Sequence, residues 1–230
     1  MSSLVKRYNS ELKKIIKTQQ LCGNRVPVSL LAVSKTKPAE DIISLYQAGQ
    51  RDFGENYLQE AILKQKKLSN YAISWHFIGP IQSNKTRELA RSFSWVHTVD
   101  RLKIAQRLQQ QRPDHLPALN ICLQVNIDQE ESKSGLNIDN LDAIIEPILS
   151  MNRLRLRGLM AIPKVQTSFE QQREPFKRLA ELKDKLNNTF NIQLDTLSIG
   201  MSADLEAAIC EGSTMVRIGT AIFGSRKKTS

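Results

Sequence analysis

Short apolar runs recur along the chain, separated by stretches whose hydrophobic residues fall at helical spacing. Eight runs stand out: Val28 to Lys35, Asp52 to Asn56, Trp75 to Gly79, Trp95 to Asp100, Asn120 to Ile127, Leu154 to Ile162, Thr196 to Gly200 and Met215 to Gly224. A brief apolar run bounded by turn residues is the pattern of a fully buried strand. Between the runs, Ile42, Ile43, Leu45 and Tyr46 form one helical set, and Leu102, Ile104, Ala105 and Leu108 a second. Phe176, Leu179, Ala180, Leu182 and Leu186 form a third. Strands alternating with helices predict a parallel sheet with helices outside, and eight repeats predict closure into an α/β barrel of the (β/α)8 type. The helix-like stretch from Leu4 to Leu21 is expected to pack outside as an extra element. No composition shift or Pro/Gly linker divides the chain, so residues 1–230 are expected to form one domain.

Composition adds constraints. A 230-residue chain that is 40% hydrophobic has enough apolar material for a sizeable core. The net charge of +10 suits anionic ligands, anionic partners or simple solubility. That charge is spread out, and the tight basic cluster is Arg226-Lys227-Lys228 at the tail, so specific nucleic acid binding is not expected. Cys22, Cys122 and Cys210 are far apart and odd in number, which suggests no disulfide framework or CxxC site and favours a reducing cytoplasm. The N-terminus leads into an amphipathic helix rather than a signal core. No apolar run reaches membrane-spanning length, so no membrane partner is expected.

In such barrels the functional groups sit at the C-terminal ends of the strands. Lys35 closes the first run, just before Thr36-Lys37-Pro38. Burial lowers the pKa of an ammonium group and makes the amine nucleophilic enough for Schiff-base chemistry. Lys37 shares its parity, so spacing alone does not choose between the two. Lys35, nearer the apolar run, is expected to be the more desolvated and Lys37 to lie at the rim. Ser202 precedes Ala203-Asp204-Leu205 and reads as the N-cap of a helix whose first turn favours a phosphate, although Asp204 would compete with that charge. Gly219 permits close backbone approach and Thr220 adds a hydroxyl. Arg217 lies on the same face as Gly219 and points into the barrel, where it needs either a ligand or a buried acidic partner. His76 and His97 fall in the third and fourth runs and read as satisfied core histidines rather than metal ligands. No Ser-His-Asp arrangement is legible. Lys133 lies in a polar loop and is a solvated lysine by default, within reach of an anionic ligand otherwise.

Five segments carry a resemblance. They are Ala32-Val33-Ser34-Lys35-Thr36-Lys37-Pro38, Phe53-Gly54-Glu55-Asn56-Tyr57, the stretch from Trp75 to Lys85, the stretch from Leu197 to Asp204, and the stretch from Val216 to Gly224. Together they resemble the pyridoxal phosphate homeostasis protein family, which is itself similar to the barrel domain of bacterial alanine racemase. The likeness extends from Val28 to Gly224. It implies pyridoxal 5′-phosphate as cofactor, held as an internal aldimine on Lys35. It further implies Arg217 at the pyridine nitrogen, Asn56 beside the ring, Ser202, Gly219 and Thr220 around the phosphate, and Met201 among the cofactor-binding residues.

The implied role is storage, delivery or protection of the vitamin B6 cofactor in the cytoplasm. The expectation is a monomer without catalytic residues or metal, serving pyridoxal phosphate-dependent apoenzymes as partners. Arginine cannot give up its proton, so the ring nitrogen stays unprotonated and the cofactor is a poor electron sink. The sequence ends six residues after Gly224, and no second domain is expected to supply an opposing base. Two rivals remain. One is a slow pyridoxal phosphate enzyme acting on amino acids, with Tyr57 or Lys133 as second base. The other is a cofactor-free aldolase that uses Lys35 on a phosphosugar.

Overall fold

In the computed structural model, which describes residues 2–130 and 134–225, the apolar runs become eight parallel strands that close on themselves. They are β1 (Ser29–Val33), β2 (Asp52–Glu55), β3 (Ser74–Phe77), β4 (Trp95–Val99), β5 (Leu119–Gln124), β6 (Leu154–Met160), β7 (Thr196–Ser198) and β8 (Met215–Ile218). Each pairs with the next, and β8 pairs with β1 to seal the barrel, with Leu31 opposite Arg217. Lys133 and the Arg226-Lys227-Lys228 cluster lie outside the described residues.

The helices alternate with the strands: α1 (Ser3–Leu21), α2 (Ala39–Gln47), α3 (Leu58–Lys67), α4 (Thr86–Ser92), α5 (Leu102–Gln111), α6 (Asp142–Leu149), α7 (Phe169–Phe190), α8 (Leu205–Cys210) and α9 (Thr220–Phe223). Their periodic apolar positions face the sheet. Ile42 and Leu45 in α2, Ile104 and Leu108 in α5, and Phe176 and Leu179 in α7 are all buried. Each such side chain contributes about 1.5–3 kcal/mol relative to leaving it in water. No described helix is long and apolar enough to cross a membrane.

Two boundaries differ from the sequence reading. The first strand stops at Val33, so Lys35 sits in a turn two residues beyond it rather than on the strand edge. The last run splits at Gly219, whose carbonyl accepts the N–H groups of Ile222 and Phe223 and starts α9. An apolar stretch as short as Thr220-Ala221-Ile222-Phe223 carries no period by which helix and strand can be told apart.

Helix α1 packs outside the barrel, as its pattern predicts. Ser2 caps it by accepting the Val5 N–H, and Leu4, Tyr8, Ile15 and Thr18 form its buried face. Arg7 donates to the Ile222 carbonyl at 2.6 Å, and Tyr8 donates to Gln50 at 3.2 Å. The end of α1 is covalently tied to the end of α8: Cys22 and Cys210, 188 residues apart, form a disulfide with Cα atoms 5.0 Å apart. This overturns the reading that the cysteines form no bridge, and with it that argument for a reducing compartment. Distance in sequence hid a pair that barrel closure brings together. Cys122 in β5 stays a buried thiol, which burial pushes up to about 12.

Candidate functional site

Four neighbouring strand ends build one arc of the barrel mouth. Lys35 follows β1 and Asn56 follows β2, and the two ends are joined by the Ser34 N–H donating to the Gly54 carbonyl. Gly219 and Thr220 follow β8, with a Cβ built on Gly219 meeting Val33 at ordinary contact distance. Met201 and Ser202 follow β7, where the Gly200 carbonyl accepts the Arg217 N–H at 2.9 Å. Gly79, after β3, must be glycine, because a Cβ there would lie 2.1 Å from the Asn56 carbonyl oxygen.

The turn that carries Lys35 is held from behind by charge. Thr36 has φ +62°, a left-handed conformation that costs a β-branched residue on the order of 1–2 kcal/mol. Its N–H donates to Glu60 Oε1 at 2.6 Å. Lys64 of α3 lies beneath, donating to the Ser34 carbonyl at 2.7 Å, to Glu55 Oε1 at 2.7 Å and to Glu60 Oε1 at 2.6 Å. The Ser34 hydroxyl also donates to Glu55. Burial pushes the Glu55 carboxyl above its ordinary range, opposed by the Lys64 charge and by hydrogen bonds from Lys64 and Ser34. The sequence reading missed Lys64 and Glu60; their signal was a lysine on the buried face of an amphipathic helix. Lys35 is half-buried. Lys37 is committed elsewhere, donating to the carbonyls of Phe223, Gly224 and Ser225 at 3.2–3.3 Å. That distinction spacing alone did not make.

Arg217 does point into the barrel and is 5% exposed. Among the described residues no carboxylate pairs with it, so the buried ion pair weighed from sequence is not formed. It donates instead to the Ser198 carbonyl, to Ser198 Oγ at 3.1 Å and to the Ala161 carbonyl at 3.1 Å. A guanidinium has about five N–H donors, so some remain for a ligand. Burial pulls its pKa down to about 10, opposed by the Asp204 charge, which leaves it a cation at neutral pH.

The expected anion site is rearranged. Ser202 does not cap α8. The helix begins at Leu205 with Asp204 as its cap residue, and Ser202 lies exposed in the turn before it. Asp204 explains the shift: its Oδ1 accepts the Met201 N–H at 2.6 Å and its N–H donates to the Met201 carbonyl, closing a turn that delays the helix. Burial raises the Asp204 carboxyl, which makes it easier to neutralise beside an anion. Thr220 opens α9 and is exposed.

Behind the mouth runs a chain that the sequence reading did not find. Asp52 Oδ1 lies 3.1 Å from His76 Nε2, His76 Nδ1 lies 2.9 Å from His97 Nε2, and His97 Nδ1 lies 2.8 Å from Ser198 Oγ. Both histidines are buried with partners, as expected of core histidines. They nevertheless link a serine to a carboxylate. The parity of His76 and His97 within adjacent strands was the available signal.

The donor set suits a small planar molecule bearing a carbonyl and an anionic group: an amine, a buried guanidinium with N–H groups to spare, two exposed hydroxyls and the start of α9. One observation supports that fit: Asn56 Oδ1 is buried without a hydrogen-bond partner, which leaves an acceptor unused beside Lys35. A cavity of about 350 Å³ opens beside Asn56 and Tyr57 toward Leu58, Phe77 and Leu89, and of the donor set only the neighbouring Asn56 lines it. A larger one of about 600 Å³ lies outside the barrel against α1, remote from these groups.

Known proteins share this architecture. The family model of the alanine racemase N-terminal domain matches residues 12–227. A pyridoxal phosphate homeostasis protein of Pseudomonas aeruginosa is 55% identical over 227 residues, covering 98% of this chain and 97% of its own length. One of Escherichia coli is 50% identical over 218 residues, covering 93% and 92%. The structure of PipY from Synechococcus elongatus, with PLP bound, superposes with a TM-score of 0.80 at 34% identity, covering 91% of this chain and all of that one. Alanine racemase from Clostridium difficile shares the fold at 12% identity and a TM-score of 0.71, with 57% of its length matched.

Proposed function

Because this chain belongs to the alanine racemase N-terminal domain family and, within it, to the pyridoxal phosphate homeostasis proteins, we propose that it binds pyridoxal 5′-phosphate reversibly and takes part in homeostasis of that cofactor. The observation that carries this reading is Arg217, a buried cation with no acidic partner among the described residues, set among strand ends that also bear Lys35. When bound, the cofactor supplies an aldehyde open to addition by an amine, and a conjugated ring.

The chain's own residues divide the work. Lys35 would supply the amine, held toward the mouth by the Thr36 turn that Glu60 and Lys64 fix. Arg217 would donate an N–H to the pyridine nitrogen. Because an arginine keeps its proton, that nitrogen would remain an acceptor. Ser202, Thr220 and the first N–H groups of α9, with Gly219 allowing close approach, would bind the phosphate. Asn56 would bring its unused Oδ1 beside the ring, and Met201 would cover it from the β7 side.

The same arginine supports a carrier rather than an enzyme. A ring nitrogen held unprotonated withdraws few electrons, which disfavours chemistry at a substrate α-carbon. The reading is of a cytoplasmic monomer that stores, delivers or protects the cofactor for apoenzymes that use it. The test is borohydride reduction of protein saturated with pyridoxal 5′-phosphate, followed by peptide mapping. Label on Lys35 is expected; label confined to Lys37 or another lysine, or none, would refute the assignment. Exchange of the α-proton of common amino acids into heavy water should run no faster than with the free cofactor, and a faster rate would make this an enzyme.

A further inference from the structure

A line of hydrogen bonds crosses the barrel from its floor to Arg217. Asp52 opens β2 at the N-terminal end of the barrel, where its carboxylate is 37% exposed. The line passes through His76 and His97, the third residues of β3 and β4, then crosses the interior to Ser198 at the end of β7 and reaches the guanidinium of Arg217. Every link is between 2.8 and 3.1 Å.

The two ends dictate the position of every proton between them. A carboxylate only accepts and a guanidinium only donates. His76 therefore donates from Nε2 to Asp52, with Ser74 Oγ, also 3.1 Å away, beside the same nitrogen. His76 Nδ1 is left as an acceptor and takes the Nε2 proton of His97. His97 Nδ1 in turn accepts the Ser198 hydroxyl proton, and the Ser198 oxygen accepts from Arg217. All donors point toward Asp52. Adding a proton to His76 would set two N–H groups against each other across 2.9 Å, so the line requires both rings neutral. Burial, the largest influence on both rings, lowers their basicity in agreement. The Trp95 ring, stacked on His76 with centroids 5.3 Å apart and 6° between planes, fixes the orientation from which the order starts.

We propose that Asp52, His76, His97 and Ser198 are positioning residues for Arg217, a one-way hydrogen-bond line that keeps Ser198 an acceptor toward the guanidinium and so holds the remaining N–H edge in place for the pyridine nitrogen. The proposal rests on the cofactor reading above for its last link only. With its own proton spent on His97, Ser198 presents lone pairs to Arg217 from both its hydroxyl and its carbonyl. If His97 could not accept, the hydroxyl would be free to turn its proton toward a cation that has nothing to accept it. Ser198 and His97 are fully buried, so neither is placed to react with a substrate.

The order is testable without the cofactor. Long-range ¹H–¹⁵N correlation spectra of the histidine rings in cofactor-free protein at pH 7 should show His76 and His97 as neutral Nε2–H tautomers. A population of imidazolium or of Nδ1–H form at either ring would overturn the proposal. Asp52→Ala removes the acceptor at the exposed end, where folding is least at risk. It should bring Nδ1–H character into His76 and weaken pyridoxal 5′-phosphate binding by about threefold to tenfold from across the barrel, the scale of one weakened hydrogen bond. His97→Phe should weaken binding by at least that factor. His97→Gln, whose amide can accept from Ser198 and donate to His76, should restore most of it. Unchanged affinity in Asp52→Ala, or a glutamine variant as weak as phenylalanine, would refute positioning through this line. If the wild type binds no cofactor while the tautomers are as stated, it is the cofactor reading that fails, not the order of the line.

Discussion

The Thr36 N–H donates to Glu60 Oε1 at 2.6 Å while Thr36 holds φ +62°, so a side chain from α3 pins a strained turn one residue after Lys35. Lys64 serves the same turn from below, between Glu55 and Glu60. Lys64→Met would leave Glu55 buried without its cation, and breaking a buried pair in this way typically costs about 3–5 kcal/mol. The cost should depend on pH. Glu55 already has a raised folded-state pKa, and losing Lys64 raises it further. A carboxyl raised on folding costs stability as pH climbs through and above its unfolded value, because the folded form keeps a proton that the unfolded form releases. Denaturant midpoints of the variant and wild type should therefore differ most near neutrality and converge toward about pH 4. A gap that is constant with pH would mean that Lys64 acts by packing alone.

Lys37 fastens the end of α9, which favours Lys35 as the amine of the proposed cofactor site. Its three hydrogen bonds to carbonyl oxygens match the way a cation completes a helix C-terminus. Lys37→Met should lower stability by about 1 kcal/mol. Borohydride trapping of the cofactor on Lys35 should continue at the wild-type level. Loss of trapping with unchanged stability would reverse the roles of the two lysines.

What sequence revealed here follows the range over which each interaction acts. The strands were legible because parallel strands buried on both faces must be continuously apolar, and Asn56 and Gly219 could be placed at their ends by counting, while Lys35 lies two residues past the end of its strand. The start of α8 was not, because Ser202 and Asp204 are both good cap residues and the choice depends on which one reaches the Met201 N–H. The line from Asp52 to Arg217 was invisible for a different reason. His97 and Ser198 meet across the barrel although 101 residues separate them, and only the closed sheet brings them together. The Cys22–Cys210 bond was hidden in the same way.

The neutral histidines predict a specific acid response. Burial depresses His97 well below the ordinary value, and depresses His76 as well. A base depressed on folding binds fewer protons folded than unfolded, so its contribution to stability is complete above the unfolded pKa of about 6.5 and is lost as pH falls below it. Asp52, held low by His76 in spite of burial, adds a further loss in the carboxylate range. Melting temperature should thus fall between pH 7 and 5 in the wild type and fall less in His97→Gln, which has no ring to protonate. Parallel curves would show that the rings are not held neutral.

The disulfide predicts a stability that depends on redox conditions. Tying α1 to α8 closes a loop of 188 residues, and a bridge of this kind typically contributes about 2–4 kcal/mol by restricting the unfolded chain. Alkylation of oxidised protein in denaturant should label Cys122 alone. Reduction should lower the melting temperature and expose two further thiols. Three alkylated cysteines without reduction would show that the pair does not form.

Ser202 offers a test that separates a ligand-binding role from helix capping. A capping serine replaced by alanine typically costs about 1 kcal/mol of stability. Ser202 is exposed in a turn, and the α8 cap position belongs to Asp204, so Ser202→Ala should leave the melting temperature unchanged. If its hydroxyl meets the phosphate, losing that charge-assisted hydrogen bond should cost about 1.5–3 kcal/mol, or roughly tenfold to a hundredfold in affinity for pyridoxal 5′-phosphate. Thr220→Val probes the other hydroxyl with little change in shape. Both variants should bind dephosphorylated pyridoxal as weakly as the wild type does, since a contact to an absent group cannot be lost. A Ser202→Ala protein that melts early and binds the phosphate ester normally would return the residue to a structural role. The anion site would then rest on Gly219, Thr220 and the start of α9.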